Sequence, residues 1–326
     1  MKFSCLLLLA PLLLVISLSA QNRSLPTPAG GSPMIAGCPV FPPDNIWNTP
    51  VDKLPVDPHS SAYIQSIGED KPVHPDFGSG TYQGAPMGIP FTVVPGNQKH
   101  VRIIFDYRNE SDLSNYPIPP DAPIEGGARS KGDRHILIVD RDNCVLWEIY
   151  NARPQPDGTW KAGSGAIFDL TCNCMRPDGW TSADAAGLPI LPGLVRYDEV
   201  AAGEIRHALR FTAPRTRNQA VWPARHAASK LTDPQLPPLG QRFRLKSSFS
   251  VSGFSPQVKV ILIALQKYGM MVADNGSSWF ISGTQDEHWN NTTLKELRKV
   301  TGSDFEAVDA SGLSLSPNSA RVRVQK

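Results

Sequence analysis

Hydrophobic and polar residues alternate with a period of two along several segments of the chain. In residues 100–107, Val101 and Ile103 alternate with polar residues, and the same pattern runs through residues 204–212 and 241–251. A period of two places successive side chains on opposite faces of a β-strand. Strands with one polar face are typical of antiparallel sheets, so we expect an antiparallel arrangement.

Three consecutive strands are predicted in the middle of the chain. Residues 135–140 and 144–150 flank the polar residues 141–143, a short connection that suits a β-hairpin. The turn sequence at residues 156–158, Pro-Asp-Gly, leads into a further strand within residues 159–170. Together these segments predict an antiparallel meander.

Helical patterns are few and short, and they cover residues 57–68, 255–269 and 293–300. The chain also contains 31 prolines, which interrupt long helices. We therefore predict a mainly β fold, an antiparallel β-sandwich or jelly-roll-like domain with a few short helices. This domain is expected to span residues 38–326, with two β-rich subdomains as the alternative.

The first twenty residues are typical of a signal peptide. Lys2 precedes an apolar run over residues 6–16, and small residues lead to a cleavage site near Ala20. Residues 21–37 are rich in proline, serine and glycine, which predicts a flexible segment. Because no later apolar run is long enough to span a bilayer, no integral membrane segment is expected after cleavage. We expect a secreted protein, either extracellular or periplasmic.

Four cysteines follow the predicted signal peptide: Cys38, Cys144, Cys172 and Cys174. An even number in an exported chain predicts two disulfides. Because a bridge between residues two positions apart is geometrically unfavourable, Cys172 and Cys174 are each expected to pair with Cys38 or Cys144. No metal site and no cofactor are predicted, since a single C-x-C is a weak sign of zinc.

Several familiar catalytic motifs are absent from the sequence. It contains no G-x-S-x-G, H-E-x-x-H or G-x-x-x-x-G-K-[ST] pattern, which disfavours standard serine hydrolases, zinc proteases and nucleotide enzymes. A formal net charge of +2 gives the chain little attraction for nucleic acid, so no nucleic-acid partner is expected.

The loop over residues 172–193 contains the first candidate site. Ser182 is placed to cap a single helical turn over residues 182–186, which would hold Asp184 on a short rigid element near Trp180. Asp184 is therefore a candidate catalytic acid, with Trp180 as a stacking surface for substrate. The alternative is that Asp184 only caps a backbone amide.

Two other carboxylates are candidate catalytic groups. Glu148 shares a strand face with Leu146 and Tyr150, and partial burial there would raise its pKa and suit a general acid. Alternatively, Glu148 is an exposed acid paired with an arginine on a neighbouring strand. Asp169, at the end of the next strand, is a comparable candidate.

Further candidates combine aromatic and basic groups. Residues 222–226 bring together Trp222, Arg225 and His226, which offer a stacking surface, a planar cation and a titratable base. His226 is assigned to catalysis, and Trp222 and Arg225 to substrate binding. Four more side chains are candidates for substrate binding: His207, Arg210, Asp274 and Trp279.

Three of these four residues have a structural alternative. His207 lies on the apolar side of its segment and suits a hydrogen-bonded core residue equally well. Asp274 begins a turn sequence that ends before Trp279. Arg210 belongs to an excess of basic residues between positions 196 and 246, which would form either a site for an acidic glycan or a solvated face.

The chain contains seven tryptophans, several beside turns and near charged residues. Flat rings beside carboxylates and arginines suit sugar recognition. We therefore predict a secreted carbohydrate-active enzyme, a glycoside hydrolase that acts on a polysaccharide or oligosaccharide with a carboxylate pair. One alternative is a polysaccharide lyase acting on a uronate-containing glycan. The other is a non-catalytic glycan-binding or surface-attachment protein.

Overall fold

The computed structural model describes residues 31–323. The predicted signal peptide and residues 21–30 of the predicted flexible segment lie outside the described residues. In chain order, the strands of the described part are β1 (Met34–Ile35), β2 (Cys38–Pro39), β3 (His74–Asp76), β4 (Thr81–Tyr82), β5 (Ala85–Pro86), β6 (Phe91–Val94), β7 (Val101–Phe105), β8 (Asn115–Tyr116), β9 (Ile136–Asp140), β10 (Val145–Tyr150), β11 (Arg153–Pro154), β12 (Trp160–Ala162), β13 (Ser164–Asp169), β14 (Leu209–Ala213), β15 (Arg242–Leu245), β16 (Met270–Asn275), β17 (Phe280–Ser282) and β18 (Phe305–Val308).

The helices of the same residues are short, as predicted. The α-helices are α1 (Ser60–Ile67), α2 (Tyr197–Ala202), α3 (Pro256–Lys267) and α4 (Asn291–Leu294). Single 3₁₀ turns are formed by Ile46–Asn48, Arg108–Glu110, Leu191–Gly193, Lys295–Lys299, Gly302–Asp304 and Ser311–Leu313. None of the helices among residues 31–323 is both long and apolar enough to cross a bilayer.

The fold is mainly β, and its centre is the predicted meander. Strands β9, β10 and β13 pair antiparallel, and β6 adds to β9 in parallel to complete a four-stranded sheet. Both faces of this central sheet are covered. Strand β9 is buried along its whole length, so neither of its faces is exposed to solvent.

A second four-stranded sheet covers one face of the central sheet. Its order is β11-β12-β7-β8, and β12 pairs with β7 in parallel. The two sheets enclose an apolar core that includes Ile103, Phe105, Ile138 and Trp147. Two sheets packed over a shared core form a sandwich, which matches the predicted architecture.

A six-stranded mixed sheet covers the other face. Its order is β18-β15-β16-β14-β17-β3, with β14 parallel to β16 and β17 parallel to β3. One continuous core contains residues of this sheet, of helix α3 and of the central sheet, among them Leu146, Phe211 and Ile261. The predicted mainly β, sandwich-like fold is confirmed, and its sheets are mixed, because crossover connections make several neighbouring strands parallel.

Some element boundaries differ from those predicted. Helix α2 ends at Gly203, whose positive φ of 88° suits glycine, and the strand that follows begins at Leu209 rather than at residue 204. The single helical turn predicted at residues 182–186 is an irregular turn instead. Helix α4 begins at Asn291, two residues earlier than predicted, because the Asn290 side chain accepts hydrogen bonds from two backbone N–H groups of the first turn.

The disulfide pairing also differs from the prediction. Cys38 is bonded to Cys144, and Cys172 is bonded to Cys174. The Cα atoms of Cys172 and Cys174 are 5.3 Å apart, within the range that a disulfide requires, although only one residue lies between them. A bend at Cys172 brings the two Cα atoms to this separation, which the spacing alone argued against. All four described cysteines are oxidised.

Candidate functional site

A cleft of about 450 Å³ opens beside the ends of β10 and β16. We call it the acidic cleft. Its walls come from the turn after β7, the residues before β9, the end of β10, the start of β13, the loop over 181–185, the segment 226–228 and the end of β16. Its lining side chains are Tyr107, Glu110, Asp133, Tyr150, Ser164, Thr181, Ser182, Ala183, Asp184, Ala185, His226, Ala228, Asp274 and Asn275.

A buried ion pair forms the floor of the acidic cleft. Arg210, on β14, donates from Nε to Oδ2 of Asp184 at 3.1 Å and from Nη2 to Oδ1 at 2.9 Å. Its remaining Nη1 donates to the Ser282 hydroxyl at 2.5 Å. Both charged side chains are almost completely buried. The two-point contact fixes the orientation of the Asp184 carboxyl.

Hydroxyl groups of the loop itself hold Asp184 in place. The Ser182 hydroxyl accepts from the Asp184 backbone N–H at 2.9 Å and donates to the Leu188 carbonyl at 2.5 Å. The Ala186 N–H donates to the Ala273 carbonyl at 3.0 Å, which ties the loop to β16. Ser182 therefore stabilises a turn rather than a helix, and the rigid support predicted for Asp184 is present in another form.

Asp274, near the end of β16, is a half-buried carboxyl in this cleft. Burial raises its pKa to about 7, and the neighbouring negative charge of Asp184 adds to the rise, although the positive charge of Arg210 opposes it. Asp133 raises the pKa further, so the two carboxyls lie within electrostatic range of each other. Asp274 consequently holds a proton under conditions in which an ordinary aspartate has lost it.

His135 and Glu125 form a second ion pair beside Asp133. The His135 ring contacts Oε2 of Glu125 through Nδ1 at 2.7 Å and the Ala183 carbonyl through Nε2 at 3.0 Å. A carbonyl and a carboxylate can only accept, so both ring nitrogens carry protons. Burial opposes this charge, but Glu125 outweighs it and raises the pKa of His135 to about 9. The imidazolium in turn lowers the pKa of Glu125 despite its burial.

This ion pair and Asp133 lie close enough together to be considered as a metal site. Ligand atoms of Glu125, Asp133 and His135 all lie within 4.8 Å of one another. A metal would need a free lone pair on the imidazole, however, and both nitrogens are engaged in hydrogen bonds. The geometry therefore fits a charged histidine that orients carboxylates better than it fits a metal ligand.

Aromatic and titratable groups form the mouth of the acidic cleft. Tyr107 is 55% exposed, and Tyr150 is half-buried with its ring 5.8 Å from that of His135. His226 contacts the Ala185 carbonyl through Nδ1 at 2.8 Å, and its Nε2 lies 3.8 Å from Oε2 of Glu110. An exposed ring beside several carboxylates is suited to hold a sugar ring while polar groups bind its hydroxyls.

Glu148 lies behind the acidic cleft rather than in its wall. Its fully buried carboxyl accepts three hydrogen bonds, two from the Ile190 N–H and one from the Leu191 N–H, at 2.8–3.0 Å. Burial raises the pKa of Glu148 to about 7, although these hydrogen bonds oppose the rise. The partial burial predicted for Glu148 is thus complete, and its partners are backbone amides rather than an arginine.

The structure brings together four of the predicted site residues in or under the acidic cleft: Asp184, Arg210, His226 and Asp274. Asp169 lies elsewhere, at an exposed turn where its carboxyl accepts from the Thr171 N–H and hydroxyl. His207 is fully buried, with Nε2 3.0 Å from Glu199. Trp279 is fully buried and stacks between core phenylalanines, with its indole N–H donating to the Gly68 carbonyl.

The predicted substrate-binding residues near residues 180 and 225 are also outside the lining of the acidic cleft. The Trp180 ring stacks with the guanidinium of Arg176 at 5.6 Å. Arg225 is buried and donates to the Pro317 carbonyl and to the Asn318 side chain. Trp222 lines a separate cleft. The basic residues between positions 196 and 246 do not form one charged face, because Arg196, Arg210, Arg225 and Arg242 are all buried.

Several residues of the site were not predicted from the sequence. Asp133, Glu125 and His135 precede β9, and Tyr107 follows β7, so only the tertiary fold brings them to Asp274. One local signal was available. Residues 132–135, Gly-Asp-Arg-His, concentrate an acid and a histidine directly before a buried strand, a position from which loops of a β scaffold often present functional groups.

Comparison with models of known protein families, with curated proteins and with solved structures finds no match to this chain.

Proposed function

We propose that this protein is a secreted glycoside hydrolase that cleaves a polysaccharide or oligosaccharide in the acidic cleft, with Asp274 as the proton donor. The observation that carries the proposal is the contrast between Asp274 and its neighbours. Asp274 has a pKa of about 7, whereas His135 lowers the pKa of Glu125 and Arg210 forms an ion pair with Asp184. Carboxyl groups whose environments push their pKa values apart are typical of acid–base pairs.

Asp133 is the partner carboxylate in this proposal. It is exposed at the cleft, and its charge contributes to the raised pKa of Asp274. Glycosidic cleavage requires an acid that protonates the leaving oxygen and a second carboxylate that stabilises the positive charge developing on the sugar. Asp274 supplies the proton, and Asp133 supplies the negative charge. Tyr107 offers its exposed ring as a surface for the sugar.

The electrostatics of the cleft disfavour the two alternatives. A lyase acting on a uronate would need free positive charge to neutralise the substrate carboxylate, but Arg210 is already paired with Asp184. A protein that only binds glycans has no use for a carboxyl with a raised pKa. Two disulfides and the signal-peptide pattern of residues 1–20 support the secreted part of the proposal.

The test is release of reducing sugar from a panel of neutral polysaccharides, with Asp274→Asn as the variant. Asparagine keeps the size of the side chain but cannot supply a proton, so we expect turnover to fall by about 10²–10⁴. Asp169→Asn is the matched control, since Asp169 is an exposed aspartate outside the acidic cleft, and we expect it to be active.

The pH profile provides a second readout of the same proposal. Asp274 acts only when protonated, so the wild-type rate should fall as the pH rises through about 7. Failure of the wild-type protein to release sugar from any substrate, or full activity of Asp274→Asn, would contradict the proposal. In a parallel panel of uronate-containing polysaccharides, ultraviolet absorbance from an unsaturated uronide product would indicate the lyase instead.

A further inference from the structure

A second cleft, of about 510 Å³, shares no lining residue with the acidic cleft. We call it the tryptophan cleft. Its volume lies in the range of about 300–1,000 Å³ that is usual for small-ligand sites. Its walls are formed by Asp57, Pro58, His59, Tyr63, Arg217, Val221, Trp222, Gly240, Gln241, Arg242, Val308, Asp309, Ala310, Ser311 and Ser314.

Fixed aromatic rings form two parts of this wall. The His59 ring stacks on the buried Tyr63 ring, with centroids 5.6 Å apart. The Asp57 carboxylate accepts a hydrogen bond from the backbone N–H of His59 at 2.8 Å. Trp222 is half-buried, and its indole N–H donates to the Ser319 carbonyl at 2.9 Å. Both rings are therefore held in place before any ligand arrives, which lowers the entropy lost on binding.

Arg217 provides an unused hydrogen-bond donor in the tryptophan cleft. Its guanidinium lies 5.9 Å from the Tyr63 ring, while its Nε is buried and has no hydrogen-bond partner among the described residues. The Nη1 of Arg217 donates to the Pro234 carbonyl at 3.4 Å, so it is Nε that is left for an acceptor from a ligand. A ligand hydroxyl in this cleft would supply it.

The charges around the tryptophan cleft balance. Its lining contains two arginines, Arg217 and Arg242, and two aspartates, Asp57 and Asp309. Both terminal nitrogens of Arg242 already donate to backbone carbonyls, those of Tyr268 and Ile46. A site with rigid aromatic rings, hydrogen-bonding groups and no excess charge suits an uncharged ligand rich in hydroxyls. A neutral sugar has this chemistry.

The two clefts are joined by one short segment. Trp222 lines the tryptophan cleft and His226 lines the acidic cleft. Four residues of extended chain span at most about 14 Å, which sets the upper limit for the distance between their Cα atoms. The two clefts are therefore close neighbours, a separation on the scale of an oligosaccharide chain.

We propose that the tryptophan cleft is a second glycan-binding site, which holds a neutral segment of the polysaccharide that the acidic cleft acts on. The choice of ligand rests on the proposed function, but binding at this site needs no catalysis. Trp222 supplies the stacking surface, and Arg217 and Asp309 bind the sugar hydroxyls.

The experiment measures binding by calorimetry in the Asp274→Asn background, so that the ligand stays intact. The probes are cello-, xylo-, manno- and arabino-oligosaccharides. We expect at least one to bind, and Trp222→Ala to weaken that binding by about tenfold or more. Arg217→Met removes the orphaned donor while keeping most of the side chain, and should also weaken binding. Arg215→Met, at an exposed arginine outside the cleft lining, is the matched control and should bind normally.

Each outcome bears on the proposal separately from the hydrolase. No binding of any probe overturns it, and so does binding that Trp222→Ala and Arg217→Met leave unchanged. Thermal unfolding of both variants shows whether a loss of binding comes from misfolding. If Trp222→Ala misfolds, the binding of Arg217→Met tests the proposal, because methionine retains the apolar part of the arginine side chain. If the wild-type protein releases no sugar yet these variants lose binding, the site is correct and the proposed hydrolase is wrong.

Discussion

At the scale of single residues, the charge of the acidic cleft depends on Arg210. This guanidinium is buried against Asp184 and Ser282, and no part of it faces bulk water to any large extent. The free-energy cost of burying its charge is offset only while the two-point contact with Asp184 exists. Asp184 is therefore better understood as the counterion that allows an arginine to lie beneath the cleft than as a proton donor.

We predict that Asp184→Asn destabilises the protein by about 3–5 kcal/mol, because it leaves a buried positive charge unpaired. The double variant Asp184→Asn/Arg210→Met should be more stable than the single one, since it removes the stranded charge. Urea unfolding of the three proteins measures both differences. If the single variant unfolds like the wild type, the pair does not have the role described here.

The residues of the site were only partly predictable from sequence. Asp184 and Asp274 stood out because each belongs to a turn-like sequence close to an aromatic residue, and local sequence contains that information. Glu125 and Asp133 did not, because an acid in a loop has no distinguishing pattern until the fold places it beside another charge. Trp279 was misleading for the opposite reason, as a buried tryptophan and a sugar-binding one follow turns equally well.

At the scale of elements, Glu148 couples β10 to the turn at residues 190 and 191. Its carboxyl accepts from both backbone N–H groups at the start of the Leu191–Gly193 turn. The pKa of Glu148 is raised above its ordinary value of 4.5 to about 7. The folded protein therefore retains a proton that the unfolded chain releases, and this contribution to stability is complete below about pH 4.5 and is lost as the pH rises through 7.

We predict that Glu148→Gln flattens the decline in the free energy of unfolding between pH 5 and pH 8. A rise from 4.5 to about 7 corresponds to a pH-dependent contribution of about 3 kcal/mol. The absolute stability of the variant will also be lower, since an amide cannot accept as many hydrogen bonds, so the slope is the quantity to compare. Glu204→Gln, at an exposed glutamate, should keep the wild-type slope.

Elements with local signals were predicted well, and those set by tertiary contacts were not. Helix α3 begins at Pro256 after Ser255, and its chain reverses at Gly269, close to the limits predicted. The segment 204–208 alternates like a strand but forms none. Its apolar residues are buried in the neighbouring core rather than in a sheet. The alternation therefore indicated which side chains are buried, but not that the segment pairs with another strand.

At the scale of the whole molecule, the two disulfides differ greatly in the length of chain they close. Cys38–Cys144 has a sequence separation of 106 residues, whereas Cys172–Cys174 has a separation of 2. The first fastens the β1–β2 hairpin to the start of β10, and so it links the beginning of the described chain to the central sheet. The second restricts only a local turn.

We predict that Cys38→Ala/Cys144→Ala lowers the free energy of unfolding by about 2–5 kcal/mol, because a long closed loop restricts the unfolded chain most. Cys172→Ala/Cys174→Ala should have a much smaller effect, since the loop it opens is very short. Chemical denaturation of the two double variants tests the order. Equal losses would show that the stabilisation does not depend on loop length.

The class of fold was predictable, whereas the arrangement of its layers was not. Alternation and proline content indicate a β-rich chain with short helices, and the meander β9–β10–β13 follows from two local turns. The order of the six-stranded sheet depends on which distant segments pair, such as β14 with β16, and such long-range choices have no signature in one sequence. The parallel pairings were missed for this reason.

The buried carboxyl of Glu148 on β10 also fixes the strand register of the central sheet. In the observed pairing Glu148 lies opposite Leu137 and Ala166, while its neighbours Trp147 and Ile149 face the sandwich core. A slip of one residue would turn every side chain of β10 to the other layer. The carboxyl would then enter a core of aromatic and aliphatic groups, and the amides of residues 190 and 191 would lose their acceptor. A strand apolar on both sides could tolerate such a slip, but one buried carboxyl at its centre makes the two registers unequal.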